Sequence, residues 1–329
     1  MKIIVDAFGG DNAPLEVIKG AAAAVKHLGV EVILTGNEKI IRKTAAKNKI
    51  SLDGIEIIHT DSVIDIHEEP TQVIKEKKNC SMAVGLQALA DGKGDAFVSA
   101  GSTGALVVGA TFIAKRLKGI KRPALAPLLP TDKGYTMLMD AGANVECRPE
   151  MLVQFGIMGS CYMERVMKVK SPRVGLINVG AEDSKGRELD IEAYKQLGEA
   201  PVNFGGNLEA REIPKGEFDV AVSDGFTGNV VLKLYEGLGS YFAGQLKLMF
   251  TDGIISKAAA LLIMNKIKTF KKKFDYKEVG GAVLMGISKP VIKAHGSSDA
   301  RAFYNAIRQA KRCVDGDFVG EISRAIANK

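Results

Sequence analysis

The chain alternates short β-branched runs with longer segments in which apolar residues recur every three or four positions. Lys2–Val5, Val30–Leu34, Ile55–Ile58, Ala96–Val98, Arg173–Val179, Asp219–Ser223 and Pro290–Ala294 read as buried strands. Between them, Leu15–Leu28, Glu38–Lys47, Lys75–Ala90, Glu150–Met167, a stretch from Val230 and Ala300–Val314 read as helices. Pro14 and Pro149 stand where a first helical turn accepts proline. Strands alternating with helices at this spacing predict βαβ units and a mostly parallel α/β sheet. Leu125–Leu129 and Tyr135–Met139 break the rhythm, reading as a hairpin around Asp132-Lys133-Gly134. A lobe boundary is expected nearby, with 1–115 and 286–329 in one lobe and 116–285 in the other.

Ligands of parallel sheets collect beyond the carboxyl ends of the strands, so the turns at those ends carry the functional information. Ala96–Ala110 holds a strand, a Gly101-Ser102-Thr103-Gly104 turn and the start of an apolar helix. Small residues there let a ligand reach the backbone, and the first helical N–H groups lack partners, a combination suited to an anion. The device recurs: Asp6 with Gly9, Gly10 and Asp11; Asp140-Ala141-Gly142-Ala143-Asn144; Asp224 with Gly225, Gly228 and Asn229; and His295-Gly296-Ser297-Ser298-Asp299. One such turn also serves plain packing, but the repetition predicts a cleft floored by backbone N–H groups. Asp11 reads either as a helix cap or as a ligand contact, and Ser297 or Ser298 as the cap of Ala300–Val314. His295, at a strand end before a capped helix, reads as functional. Lys185 and Arg187 read either as phosphate counter-charges or as surface charge. Their order around Gly180 and Gly186 differs from G-x-x-x-x-G-K-[ST], so no nucleotide P-loop is assigned.

Composition narrows the class. Cys80, Cys147, Cys161 and Cys313 lie far apart with no C-x-x-C pair, predicting reduced thiols rather than a metal site or disulfides. The net charge of +7 suits an acidic partner or anionic surface, while the absence of Trp and the few aromatics argue against nucleic acid. Met1–Asp6 is a strand interrupted by an acid rather than a signal peptide, and no uncharged apolar run reaches spanning length. A cytoplasmic location is expected.

Thr251–Lys277 behaves differently. On a helical wheel Ala259, Ile263, Ile267, Phe270 and Phe274 share one side, Lys266 and Lys273 flank it, and Lys268, Lys271 and Lys272 lie towards the other. Such a helix lies in an anionic membrane interface, packs on its own protein or a second subunit, or docks an acidic carrier.

Taken together, D-A-F-G-G-D (6–11), S-A-G-S-T-G-A-L (99–106), D-A-G-A-N (140–144), S-D-G-F-T-G-N-V-V-L-K (223–233), G-G-A-V-L-M-G (280–286) and P-V-I-K-A-H-G-S-S-D-A (290–300) resemble one family nearly end to end. It is that of the bacterial acyl-carrier-protein:phosphate acyltransferases of phospholipid synthesis. Phe8, Ser102 and Val283 stand where that family usually has Met, Asn and Pro. The hydroxyl of Ser102 can still donate to an anion.

The resemblance implies a three-layer α/β/α fold like that of isocitrate and isopropylmalate dehydrogenases and of phosphotransacetylases, with two lobes around a cleft. It also implies a homodimer, peripheral membrane association and no cofactor. The implied reaction is attack of inorganic phosphate on the thioester of long-chain acyl carrier protein, giving acyl phosphate for a membrane glycerol-3-phosphate acyltransferase. Phosphate is already nucleophilic and a thiolate leaves readily, so the protein's tasks are holding, aligning and stabilising charge. On that reading the N–H groups of Gly101, Ser102, Thr103, Gly104, Ser297 and Ser298 hold phosphate or oxyanion. Lys185, Arg187 and Lys293 are counter-charges, and His295 donates a proton or orients. Asp6, Asp11 and Asp224 hold loops and lysines, Gly9, Gly10, Asn144 and Asn229 line the substrate, and Cys147 is structural. The lysines of 266–277 and of Lys115–Arg122 are candidate faces for the carrier. The rivals are a coenzyme A-dependent phosphate acetyl- or butyryltransferase, a nicotinamide dehydrogenase, disfavoured because no G-x-G-x-x-G follows the first strand, and a non-catalytic membrane adaptor.

Overall fold

The computed structural model describes residues 1–264, 266–267 and 276–327. The chain opens with β1 (Lys2–Asp6), α1 (Leu15–Leu28), β2 (Glu31–Gly36), α2 (Glu38–Lys47) and β3 (Ile55–His59). A 3-10 turn at Pro70–Ile74 leads to α3 (Ser81–Ala90), β4 (Ala96–Ser99) and α4 (Thr103–Gly109), continued by a π-helical segment, Ala110–Lys115. Next come β5 (Ala124–Ala126), β6 (Leu128–Thr131), β7 (Gly134–Met139), α5 (Pro149–Arg165), β8 (Arg173–Asn178), α6 (Glu188–Glu199), β9 (Asn203–Glu209) and β10 (Val220–Val222). The long α7 (Gly225–Thr251) and α8 (Ile254–Leu262) come after these, then α9 (Tyr276–Val279), β11 (Ala282–Met285), β12 (Val291–Lys293), α10 (Ala300–Asp315) and α11 (Phe318–Ala327).

The strands form a seven-stranded sheet, β3-β2-β1-β4-β12-β11-β5, and a five-stranded sheet, β6-β7-β10-β8-β9. Only β11 in the first and the β6–β7 pair in the second run antiparallel. Buried on both faces, β1 sends Ile3 and Val5 to one side and Ile4 to the other. Ile3 and Val5 share a core with Val17, Ile18 and Ala21 of α1 and Phe303 of α10; Ile4 shares another with Met82 and Leu86 of α3. The core holding Ile3 extends through Phe155 and Met158 of α5 to Met137, Leu176 and Val220 of the second sheet, which joins the two sheets. Behind that second sheet, Val231, Leu232 and Tyr235 of α7 pack on Leu138, Ile177 and Ala221. Helices thus cover the sheets on both faces, giving three layers.

Several expected boundaries move, each for a local reason. The helix expected from Lys75 begins at Ser81, after Pro70 starts a 3-10 turn and Lys77 pairs with Glu68 at 3.0 Å. The expected strand Leu125–Leu129 splits at Pro127, which has no N–H to donate: β5 joins β11 in the first sheet and β6 joins β7 in the second. The helix expected from Val230 starts at Gly225, because Asp224 caps it by accepting from Thr227 N–H at 2.7 Å. α10 is capped by Asp299, which accepts from Ala302 N–H at 3.0 Å, rather than by Ser297 or Ser298. At the start of the stretch expected as amphipathic, α7 ends at Thr251 and α8 begins at Ile254, after Gly253 at φ +85°. Of its apolar side, Ile263 is 39% exposed and Ile267 is half-buried. Phe270 and Phe274, with Lys268 and Lys271–Lys273, lie outside the described residues.

Candidate active site

Both sheets have a place where the strand order reverses, and ligands of such sheets bind there. In the first sheet it lies between β1 and β4, since the chain runs outward from β1 to β3 and returns on β1's other side. The turns carrying Gly9-Gly10 and Gly101–Gly104 come directly after these two strands. Asp6 is buried at their base, accepting from Ser99 Oγ at 2.8 Å and from Phe8 N–H at 3.2 Å. Burial raises its pKa. A Cβ on Gly9 would stand 2.7 Å from both Asp6 Oδ2 and Gly101 N, so only glycine lets the two turns meet.

The hydrogen bonds decide which N–H groups remain for a ligand. Gly101 N–H donates to Ser99 Oγ at 3.0 Å. Ser102 Oγ faces Ala105 N–H at 3.5 Å as the cap of α4. The N–H groups of Ser102, Thr103 and Gly104 have no acceptor among the described residues. Ser297 and Ser298, expected to offer N–H groups to phosphate, donate them instead to His295, to Nδ1 at 3.2 Å and to the carbonyl at 3.0 Å. Ser298 Oγ is different: its residue is 1% exposed and the hydroxyl has no partner among the described residues. Asp11 does not cap α1, which starts after Pro14 without a side-chain cap; its N–H donates to Gly296 O at 2.8 Å.

Lys293, ending β12, donates to Ala294 O at 2.5 Å and Ala100 O at 3.5 Å. Burial pushes its pKa down to about 8, with Asp11 opposing and Lys233 reinforcing the shift. His295 keeps an exposed edge, but burial of the remainder holds its pKa below the ordinary value. His295 Nδ1 lies 2.8 Å from Ser297 Oγ and accepts from Ser297 N–H at 3.2 Å, an arrangement that suits a neutral ring with its proton on Nε2.

In the second sheet the reversal lies between β8 and β10. The loop after β8 carries Lys185 and Arg187; Asp224 lies just past β10. Arg187 joins them, its guanidinium bonding Asp190 at 2.9 Å and Asp224 at 2.5 Å. Asp190 above all, then Asp224, raises the Arg187 pKa further. Burial works to raise the Asp224 pKa, but Thr227 N–H and Arg187 together hold it below the usual range. Arg187 therefore ties a loop to a helix start, whereas Lys185 has no side-chain partner among the described residues.

Asp140, wholly buried after β7, accepts from the N–H groups of Leu125, Gly142, Ala143 and Asn144 and from Asn144 Nδ2. The carboxylate fills its own turn, so these amides are not open to a ligand. Asn229, exposed on α7, stands against this turn: its Oδ1 is 3.5 Å from where a Gly142 Cβ would be.

α7 links the two clusters. Asp224 and Asn229 belong to the second; one turn further on, Lys233 and Glu236, paired at 2.8 Å, exert charge effects on Lys293 and His295 of the first. The sequence motifs did not single out Lys233, Glu236, Asp190 or Ser99 as cluster members. Lys233 does close the S-D-G-F-T-G-N-V-V-L-K motif, which was the available signal. From Phe226 through Val230, Leu234 and Leu238 to Phe242, α7 also carries an exposed apolar row that begins at the site.

The architecture defines the class, a three-layer α/β protein with mostly parallel sheets whose fold resembles those of phosphotransacetylases. The chain is similar in structure to EutD phosphotransacetylase from Staphylococcus aureus (TM-score 0.64, 19% identity, 95% of this chain and 94% of that one). It is similar also to a phosphotransacetylase from Streptococcus pyogenes (TM-score 0.66, 20% identity, 95% and 94%). A 4-hydroxythreonine-4-phosphate dehydrogenase from Klebsiella pneumoniae shares the architecture as well (TM-score 0.52, 13% identity, 98% and 99%). At these identities what is shared is the fold. The family comes from sequence: residues 1–320 match the family described as "Fatty acid synthesis protein". The phosphate acyltransferase of Alkaliphilus oremlandii is 48% identical over 328 residues, covering 100% of this chain and 98% of that one. That of Clostridium botulinum (strain Langeland) is 49% identical over 329 residues, with 100% and 98% covered. The chain belongs to the phosphate acyltransferase family.

Proposed function

We propose that this acyltransferase moves a long-chain acyl group from acyl carrier protein to inorganic phosphate, releasing acyl phosphate and free carrier. The observation that carries the reading is the set of groups left without partners among the described residues: the N–H groups of Ser102, Thr103 and Gly104, Ser298 Oγ and the Lys185 ammonium. With Lys293 they supply donors and positive charge, and a ready nucleophile such as phosphate requires those rather than a strong base. Lys293 and Ser298 hold phosphate beneath the first-sheet turns. Lys185 and Asn229 face the thioester from the second sheet, and His295 Nε2–H lies at the edge to steady the developing oxyanion or the leaving thiolate.

The exposed row from Phe226 to Phe242, continued by Ile255, Leu261 and Leu262 on α8 at 85%, 70% and 89% exposure, supports a long-chain rather than a short-chain substrate. On this reading the surface is shared between a second copy of the chain and an anionic membrane, so that product passes to a membrane glycerol-3-phosphate acyltransferase. The carrier, an acidic protein, docks on Lys118, Lys121 and Arg122, and its affinity falls with salt.

The test is phosphate-dependent release of free carrier from palmitoyl-carrier protein, compared with acetyl- and butyryl-coenzyme A. Lys185→Ala and Ser298→Ala should each lower kcat/KM at least tenfold with the fold intact by circular dichroism. Preference for the short coenzyme A esters would transfer the assignment to a phosphate acetyl- or butyryltransferase. No phosphate-dependent release from any ester would leave an adaptor.

A further inference from the structure

On the side of the first sheet that Ile4 faces, a cavity of about 500 Å³ opens between β3, the 3-10 turn, α3 and the π-helical segment. That volume is within the range of about 300–1,000 Å³ usual for small-molecule sites. Its deeper wall is apolar, made by Ile58, Ile74, Ala83, Val84, Ala88 and Ile113, all buried or half-buried. Its mouth is polar. Lys78 and Lys93 stand there exposed, and neither has a side-chain partner among the described residues. The one acid at the mouth, Asp91, already accepts from Gln87 Nε2 at 2.7 Å. Phe112 adds an aromatic wall left 65% exposed by the π-helical segment, a geometry found often at functional sites.

We propose that this cavity binds a single-chain amphiphile with an anionic head, its chain against Ile58, Ile74, Val84 and Ile113 and its head between Lys78 and Lys93. Two unpaired ammonium groups over an apolar floor complement such a molecule. A neutral lipid would leave both cations unanswered, and a cationic one would be repelled. The proposal goes beyond the acyl transfer above and is independent of it, because none of the residues lining the cavity belongs to the strand-end turns.

Two of the elements that line the cavity also touch one of those turns. The same 3-10 turn that supplies Ile74 places Pro70 Cγ 2.7 Å from where a Gly104 Cβ would be, and α3 sets Met82 Cε at the same distance from that of Gly101. The 3-10 turn and α3 therefore serve both the cavity wall and the support of the glycine turn.

The experiment uses the full chain without carrier protein or substrate, so its failure and that of the acyl-transfer reading are separable. Dodecanoate and dodecyl phosphate, both below their micellar concentrations, are titrated by calorimetry, with dodecyl maltoside and dodecyltrimethylammonium as neutral and cationic controls. Both anions should bind in the micromolar range and both controls at least tenfold more weakly. Lys78→Glu with Lys93→Glu, at exposed positions, should reduce anion affinity at least tenfold; Val84→Phe, which fills the cavity, should do so for both anions. Saturating inorganic phosphate and Ser298→Ala should leave binding unchanged. Equal binding of the neutral control, or anion binding that survives the charge reversals, overturns the proposal. So does competition by inorganic phosphate, which would move the amphiphile to the strand-end turns.

Discussion

Asp140→Asn isolates the contribution of a carboxylate that organises a turn without facing solvent. Asp140 is 0% exposed, and its two oxygens receive five donors between 2.6 and 3.2 Å. Asparagine keeps Oδ1, with its donors from Leu125, Gly142 and Ala143. Where Oδ2 stood, an NH₂ would face Asn144 N–H and Asn144 Nδ2. Each hydrogen bond to a charged acceptor contributes about 1.5–3 kcal/mol. Burial raises the Asp140 pKa, so a neutral amide recovers part of that loss. The net cost is about 2–4 kcal/mol. With about 2.1 cal/mol/K of unfolding entropy per residue, a chain of 329 residues should lose roughly 3–6 °C in Tm. The displaced Asn144 and Gly142 adjoin Asn229, so kcat/KM should fall as well, by about tenfold, for a change of roughly 1.4 kcal/mol. Thermal scans and carrier-release kinetics on the same preparation are the assay. A Tm within about 1 °C of the parent together with unchanged kcat/KM would refute the idea that the Asp140 charge holds this turn.

Further outcomes are expected elsewhere. Lys293, its pKa lowered by burial from the ordinary 10.5 to about 8, is charged at neutral pH and loses its charge as pH rises through about 8. The phosphate KM should therefore climb above pH 8, and Lys293→Met should raise KM at pH 7 and flatten that climb. In stability the sign is opposite: burying the charge penalises the fold below pH 8, and the penalty is relieved between pH 8 and 10.5, so Lys293→Met should not lower Tm at pH 7. A Cβ on Gly228 would stand 1.9 Å from Asp140 O, a backbone clash, so Gly228→Ala should cost about 3 kcal/mol or more. Gly198→Ala, with nothing within 4 Å, should be neutral or stabilising in urea titrations. The Cys147 thiol, pushed up to about 12 by burial and then by Asp140, stays protonated at neutral pH. Cys147→Ser should keep kcat within threefold, and a loss above tenfold would make the thiol functional.

The strands that are continuous β-branched runs, such as β1, β2 and β8, were legible because burial on both faces leaves no room for polar residues. β9, with N-F-G-G-N-L-E, was not, since its glycines and asparagines carry no apolar pattern and its place comes from pairing with β8. β11 appeared only as a glycine-rich motif; its antiparallel pairing with β5 joins residues far apart in the chain. In the candidate site, Lys185, Asn229, Lys293 and His295 stood at strand ends that the pattern had marked. Arg187 was legible as a cation, but its two carboxylate partners were not.

By itself, the order of apolar runs and glycine turns determined that this is an α/β chain with mostly parallel sheets, and its motifs placed it in its family. Both come from local pattern, because strand burial and turn geometry are set by residues near one another in the chain. Which backbone amides are left open was decided only in the folded molecule, because their acceptors arrive from distant segments or from buried carboxylates. Ala300 N–H ends on Glu16, and Gly225 N–H on Asn144. A glycine turn announces that amides are present; three-dimensional packing determines whether anything has already claimed them.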